Sequence, residues 1–182
     1  MESKELFSEG VIVLKFQKGD YVVHGNNGIC QIEDITHLDI TGSDKNKKYY
    51  ILHSVRDKSS RIYSPVENEG SMRLVLSPAE AEDLINQIPK IEEMWIDNEK
   101  LRENIYKEAI ASGDLRKLIG IIKTLYLRKQ KRLGEGKKNT ATDERYLTIA
   151  EDKLHRELAF AMGKEPEQMQ QIIEERVHAL EV

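Results

Sequence analysis

Hydrophobic positions change their period once along this 182-residue chain. From Phe16 to Leu76 the spacing is that of strands. Tyr21-Val22-Val23 is β-branched and aromatic, Ile29 to Leu38 alternates, and Tyr49 to Val55, Arg61-Ile62-Tyr63 and Met72 to Leu76 complete a set of five. Gly25-Asn26-Asn27-Gly28 and Thr41 to Asn46 separate them with residues that tolerate positive φ. Short strands at this spacing predict a small antiparallel barrel or sandwich. A core of about 60 residues is marginal alone, so it is expected to lean on the C-terminal half of the chain.

The switch falls at Ser77-Pro78-Ala79-Glu80, where serine caps, proline suits the first helical position and glutamate closes a capping box. Five helices are predicted after it. The first runs over about 78–88 and stops before Pro89. The second covers about 92–111, with Ile91, Trp95, Leu101, Ile105, Ala109 and Ile110 as apolar positions. Gly113 stops that helix and Asp114 caps the next, about 115–133, with Leu115, Leu118, Ile119, Ile122, Leu125 and Tyr126 on one face. Thr140 or Thr142 caps a fourth at about 143–162, ended by Gly163, and Glu165-Pro166 opens a fifth. The expected fold class is α+β, with a β domain at 16–76 and a compact helical domain at 78–182. Residues 1–15 read as an extension or tag.

Composition narrows the function. Net charge is −4, so a polyanion partner requires a local patch rather than the whole surface. Such a patch is visible: Lys123, Arg128, Lys129, Lys131, Arg132, Lys137 and Lys138 against Glu135 alone. A solvated helix end with cations near its C-terminus explains the same run, and the sequence leaves both readings open. Cys30 is the only cysteine, which excludes an internal disulfide framework, fits a reducing compartment and reads as a buried strand residue. No apolar run near the start suffices for a signal or a membrane span, so a cytoplasmic protein is expected. His24, His37, His53, His155 and His178 are scattered, with no metal-ligand spacing. Glu92-Glu93 and Glu174-Glu175 read as solvated acids on helix faces. No phosphate-binding loop or activated nucleophile is present, so no enzyme, cofactor, metal or small-molecule substrate is expected. A hydrolase would require His24, Cys30 and an acid to converge.

The opening Phe16-Gln17-Lys18-Gly19-Asp20-Tyr21-Val22-Val23-His24-Gly25, with Gly28 closing the turn, resembles the RNA polymerase-interacting domain of the CarD/CdnL family, also found in transcription-repair coupling factors. Ser112-Gly113-Asp114, Ile121 to Lys129, Asp143 to Leu147 and Glu157-Leu158-Ala159 occur in that family's order, so the resemblance covers about 16–163. It implies a Tudor-like β-barrel followed by an all-α domain, in a bacterial transcription regulator. The implied partners are the RNA polymerase β subunit and promoter DNA at the upstream edge of the bubble, with the open complex stabilised. Arg61, Ile62 and Tyr63 fall at the polymerase-contacting strand. The DNA-contacting set is Trp95 as a minor-groove wedge, together with Arg102, Lys123, Arg128, Lys129, Lys131, Arg132, Lys137 and Lys138. Two departures stand out. The family tryptophan would fall near Glu99, four residues after Trp95, which leaves Trp95 as wedge or core. The family's basic positions on the fourth helix fall at Glu144 and Ile149. The alternative is a polymerase-binding adaptor whose helical domain recruits a protein instead of DNA.

Overall fold

The computed structural model describes residues 14–39, 44–57, 59–94, 96 and 98–180. The expected extension lies outside the described residues except for Leu14 and Lys15, and Leu14 already packs against the β core. Trp95 also lies outside them.

Five strands form one antiparallel sheet: β1 (Tyr21–His24), β2 (Ile29–His37), β3 (Lys48–Ser54), β4 (Arg61–Pro65) and β5 (Met72–Leu74). Their spatial order is β4-β3-β2-β1-β5. The sheet broadly fits a Tudor-like domain but is not closed, so β4 and β5 are its edges. The β1–β2 turn needs Gly28, whose φ is 71°, while the His24 N–H donates to the Gly28 carbonyl at 2.9 Å. A bulge between Ile32 and Asp34 breaks the alternation of β2. Phe16, Val22, Cys30, Ile32, Tyr50, Leu52, Val66 and Met72 form the core, with Phe16 edge-on to Tyr50 at 5.8 Å. Burial pushes the Cys30 thiol up to about 11.

The helices are α1 (Pro78–Gln87), α2 (Arg102–Ala111), α3 (Leu115–Gly134), α4 (Ala141–Met162) and α5 (Pro166–Leu180). The Ser77–Glu80 capping box forms in both directions, Asp114 caps α3, Thr140 caps α4, and Gly163 closes α4 at φ 62°. The second helix begins at Arg102, well after the start near 92 that the periodicity suggests. Residues 91–94 instead come after a short 3₁₀ turn at Ile88–Lys90 and lie along α3. There the Met94 N–H donates to Thr124 Oγ1 at 2.9 Å, and Lys123 Nζ donates to the Ile91 carbonyl at 2.6 Å. Gly120 makes this approach possible, since a Cβ there would sit 3.1 Å from the Glu92 carbonyl oxygen. Glu92 and Glu93 are exposed, but on this irregular segment rather than on a helix face. The Asn98 carboxamide accepts from the Lys100 N–H, a turn that precedes α2.

Helix α3 is buried on two sides. Leu115, Leu118 and Ile119 join α1, α4 and α5 in one cluster; Ile121 and Leu125 join Tyr106, Ala109, Tyr146 and Leu147 in another. Tyr126, expected on the buried face, is 54% exposed. Ile121 is fully buried, because the second cluster lies off the single stripe that the periodicity marks.

The two domains are joined at the β5 edge. The Arg73 guanidinium donates Nη1 to Glu157 Oε1 at 2.5 Å, Nη2 to Oε2 at 2.7 Å, and Nε to the Gly113 carbonyl at 2.7 Å. Tyr21 packs against Phe160 with the rings tilted by 57° and their centroids 4.9 Å apart. Replacing Arg73 with alanine strands the nearly buried Glu157 carboxylate and costs about 3 kcal/mol, seen as a lower urea midpoint. Cys30 is expected to resist thiol reagents at neutral pH until guanidinium unfolds the chain.

Candidate polymerase and nucleic-acid surfaces

On β4 the side chains alternate. Ser64 is buried and Ile62 half-buried against the β core; Arg61 and Tyr63 point outward. Inward residues fix the strand and outward ones are presented. Arg61 reaches across β3 to β2 and holds Glu33 with two hydrogen bonds, Nη2 to Oε1 at 2.9 Å and Nε to Oε2 at 3.1 Å. That hydrogen bonding raises the Arg61 pKa. Among the described residues β4 pairs with β3 and with no strand on its other side. At the β5 edge, by contrast, the Arg73 side chain turns to Glu157 and Gly113 of the helical domain, while Leu74 is exposed.

The cations of the helical domain divide into three groups. The first surrounds Asp143, a fully buried carboxylate. It sits in the first turn of α4, where the helix dipole favours negative charge. Arg102 Nε lies 3.3 Å from Asp143 Oδ1, Arg128 Nε lies 3.4 Å from Oδ2, and the Tyr106 hydroxyl donates to Oδ1 at 3.2 Å. Glu99 engages the outer edges of both guanidiniums: it accepts from Arg128 Nη1 at 2.7 Å and Nη2 at 3.2 Å, and from Arg102 Nη1. Hydrogen bonding from Arg128 holds the Glu99 carboxyl below its ordinary pKa. Burial works against the Arg128 charge, but Glu99 and Asp143 outweigh it and raise its pKa. Burial also pushes the Tyr106 phenol upward.

The second group is the end of α3 and the loop leading to α4. Gly136, at φ 71°, lets the chain reverse, so the Lys137 N–H donates to the Arg132 carbonyl at 2.8 Å and Arg132 Nε donates to the Lys138 carbonyl at 2.9 Å. Lys129 pairs with Glu144 at 3.3 Å and Lys137 with Glu135 at 2.8 Å. Lys131 and Lys138 are exposed, and their ammonium groups have no partner among the described residues. The third group is Lys123 alone, turned inward onto the Ile91 and Pro89 carbonyls. The structure thus brings Lys129, Lys131, Arg132, Lys137 and Lys138 together. It places Arg102 and Arg128 beside them in a paired network, and it sets Lys123 apart.

Of the two positions where the family pattern is basic, Glu144 is the partner of Lys129 and Asn139, and Ile149 is half-exposed on the wall of an interdomain cleft of ≈ 560 Å³. Lys153 also lines that cleft; its Nζ lies 3.4 Å from the Ile110 carbonyl and burial lowers its pKa. Among the described residues no three metal-ligating side chains gather, and no helix is long and apolar enough to cross a membrane.

Sequence reasoning missed Glu99, Asp143, Arg73 and Glu157. Asp143 had one local signal, its position three residues after the Thr140 cap. The pairing of Arg73 with Glu157, 84 residues away, had no local signal.

Residues 16–76 match the CarD-like/TRCF RID domain, and residues 83–174 match the CarD C-terminal domain. The chain belongs to the CarD family. It is therefore an RNA polymerase-interacting transcription regulator of the CarD type. No curated protein matches it. The CarD C-terminal match contains the whole Asp143 network, so stability of that domain should track it. Tyr106→Phe is expected to cost about 1 kcal/mol and Asp143→Ala about 3 kcal/mol in chemical denaturation, because the second substitution removes the buried counter-charge behind two guanidiniums that then keep only the exposed Glu99.

Proposed function

We propose that this CarD-family chain docks on the RNA polymerase β subunit by strand addition at β4, and holds promoter DNA at the upstream edge of the bubble through the end of α3, stabilising the open complex. The observation that carries the docking is the open β4 edge. Its outer N–H and C=O groups offer a template for a partner strand, and Arg61 and Tyr63 flank that template. Docking then brings the helical domain to DNA as a tethered partner, so weak phosphate contacts suffice. Lys129, Lys131, Arg132, Lys137 and Lys138 supply such contacts, which attract the backbone without reading bases.

A second reading has an observation of its own. Arg102, Arg128 and Lys123 are occupied by protein partners, while Tyr126, Leu127 and Leu133 are each more than half exposed on α3. That surface suits a protein recruited by a polymerase-bound adaptor.

Two variants separate the functions. Arg61→Glu with Tyr63→Ala should abolish binding to the β subunit and leave binding to a bubble-containing duplex intact. Lys131→Glu with Arg132→Glu and Lys138→Glu should do the reverse, weakening DNA binding by more than about tenfold at low salt. Unchanged DNA affinity in the second variant would favour the adaptor.

A further inference from the structure

Arg102 and Arg128 are held from behind and filled from in front. Asp143, which is buried, faces the Nε side of both guanidiniums. It accepts a hydrogen bond from Arg128 Nε and holds Arg102 by charge alone, at 3.3 Å. Their Nη groups face outward and meet at one carboxylate, Glu99, whose side chain is 60% exposed. Glu99 belongs to the turn ahead of α2 rather than to a helix, so its side chain leaves without disturbing packing. The nearest comparable acid, Glu103, is engaged elsewhere, by the Tyr146 hydroxyl, Lys107 and Arg145.

We infer that the Nη edges of Arg102 and Arg128 form a binding site for a single DNA phosphodiester, and that Glu99 occupies it in the free protein as an internal stand-in. A phosphodiester matches Glu99 in the features the site reads: one negative charge and two terminal oxygens able to accept from paired guanidinium N–H groups. The exchange leaves the local charge unchanged. Two arginines balance Asp143 and Glu99 before it, and Asp143 and the phosphate after it. Because Asp143 holds Arg128 by a hydrogen bond and Arg102 by charge, the incoming phosphate bears less of the cost of ordering them. The displaced Glu99 regains water. The competition lowers DNA affinity off the polymerase and is overcome when docking raises the local DNA concentration. The inference rests on the DNA-holding reading above and adds two residues and their regulation to it.

The test is fluorescence anisotropy of the full chain with a bubble-containing duplex, across a salt series. Glu99→Gln is compared with Glu108→Gln, which removes an equal charge from an exposed α2 position with no side-chain partner among the described residues. Glu99→Gln is expected to bind about tenfold tighter at low salt, with the slope of log K against log salt steeper by about 0.9, one additional phosphate. Glu108→Gln should stay near wild type. Adding Arg128→Gln to Glu99→Gln should cancel the gain, with thermal melting to confirm folding; the two single variants decide the matter if that double variant does not fold. A Glu99→Gln that binds where wild type does not also supports the site. Equal affinities for Glu99→Gln and Glu108→Gln overturn it while leaving DNA binding by the α3 end in place. If wild type and both variants all fail to bind, the stand-in and the DNA-holding reading fall together.

Discussion

The three hydrogen bonds of Arg73 connect the two halves of this protein. The side chain leaves β5, the sheet edge nearest the helices, and ends on Glu157 and the Gly113 carbonyl. It satisfies a carboxylate that α4 buries, and it caps the α2–α3 junction. A small β domain with a core of eight buried apolar residues gains rigid support by this route. The same contact ties one sheet edge to the helical domain and leaves the other, β4, without such a tie. Placing the helices on β5 therefore sets the direction in which a partner strand can be accepted relative to the basic end of α3.

Inside the helical domain a second buried acid, Asp143, has the matching role. It gathers Arg102, Arg128 and Tyr106 from α2 and α3 onto the first turn of α4. Positive charge here serves two ends, holding the fold and facing the surface. In an acidic protein the second set is small. The cations facing water at the C-terminal end of α3 include those without a structural partner, Lys131 and Lys138, and those with a weak exposed one, Lys129 and Lys137.

Much of the fold was legible. Ser77, Gly113, Asp114 and Gly163 each carry a local backbone requirement, and the elements begin and end where those residues place them. The strand set was legible too, because turn residues separate it. What failed was periodicity without a local stop. Ile91 and Met94 fit a helix by spacing, yet hydrogen bonds from Lys123 and Thr124 and the missing Cβ of Gly120 favour an extended course. Tyr126 fits the buried stripe of α3, but α3 has two stripes because α2 packs on its second side. At the site, the basic run was visible as composition. Which of its members are free was not, since Arg128 finds Glu99 29 residues upstream and Asp143 15 residues downstream.

The open β4 edge is the point on which the functional account turns. Hydrogen–deuterium exchange of the full chain with and without the RNA polymerase β subunit addresses it directly. Strand addition predicts slowed exchange at the amides of Arg61 to Ser64, with β5 amides unchanged because the partner strand adds at the opposite edge of the sheet. Unaltered exchange along β4 in a saturated complex, or protection confined to the helices, would contradict the account.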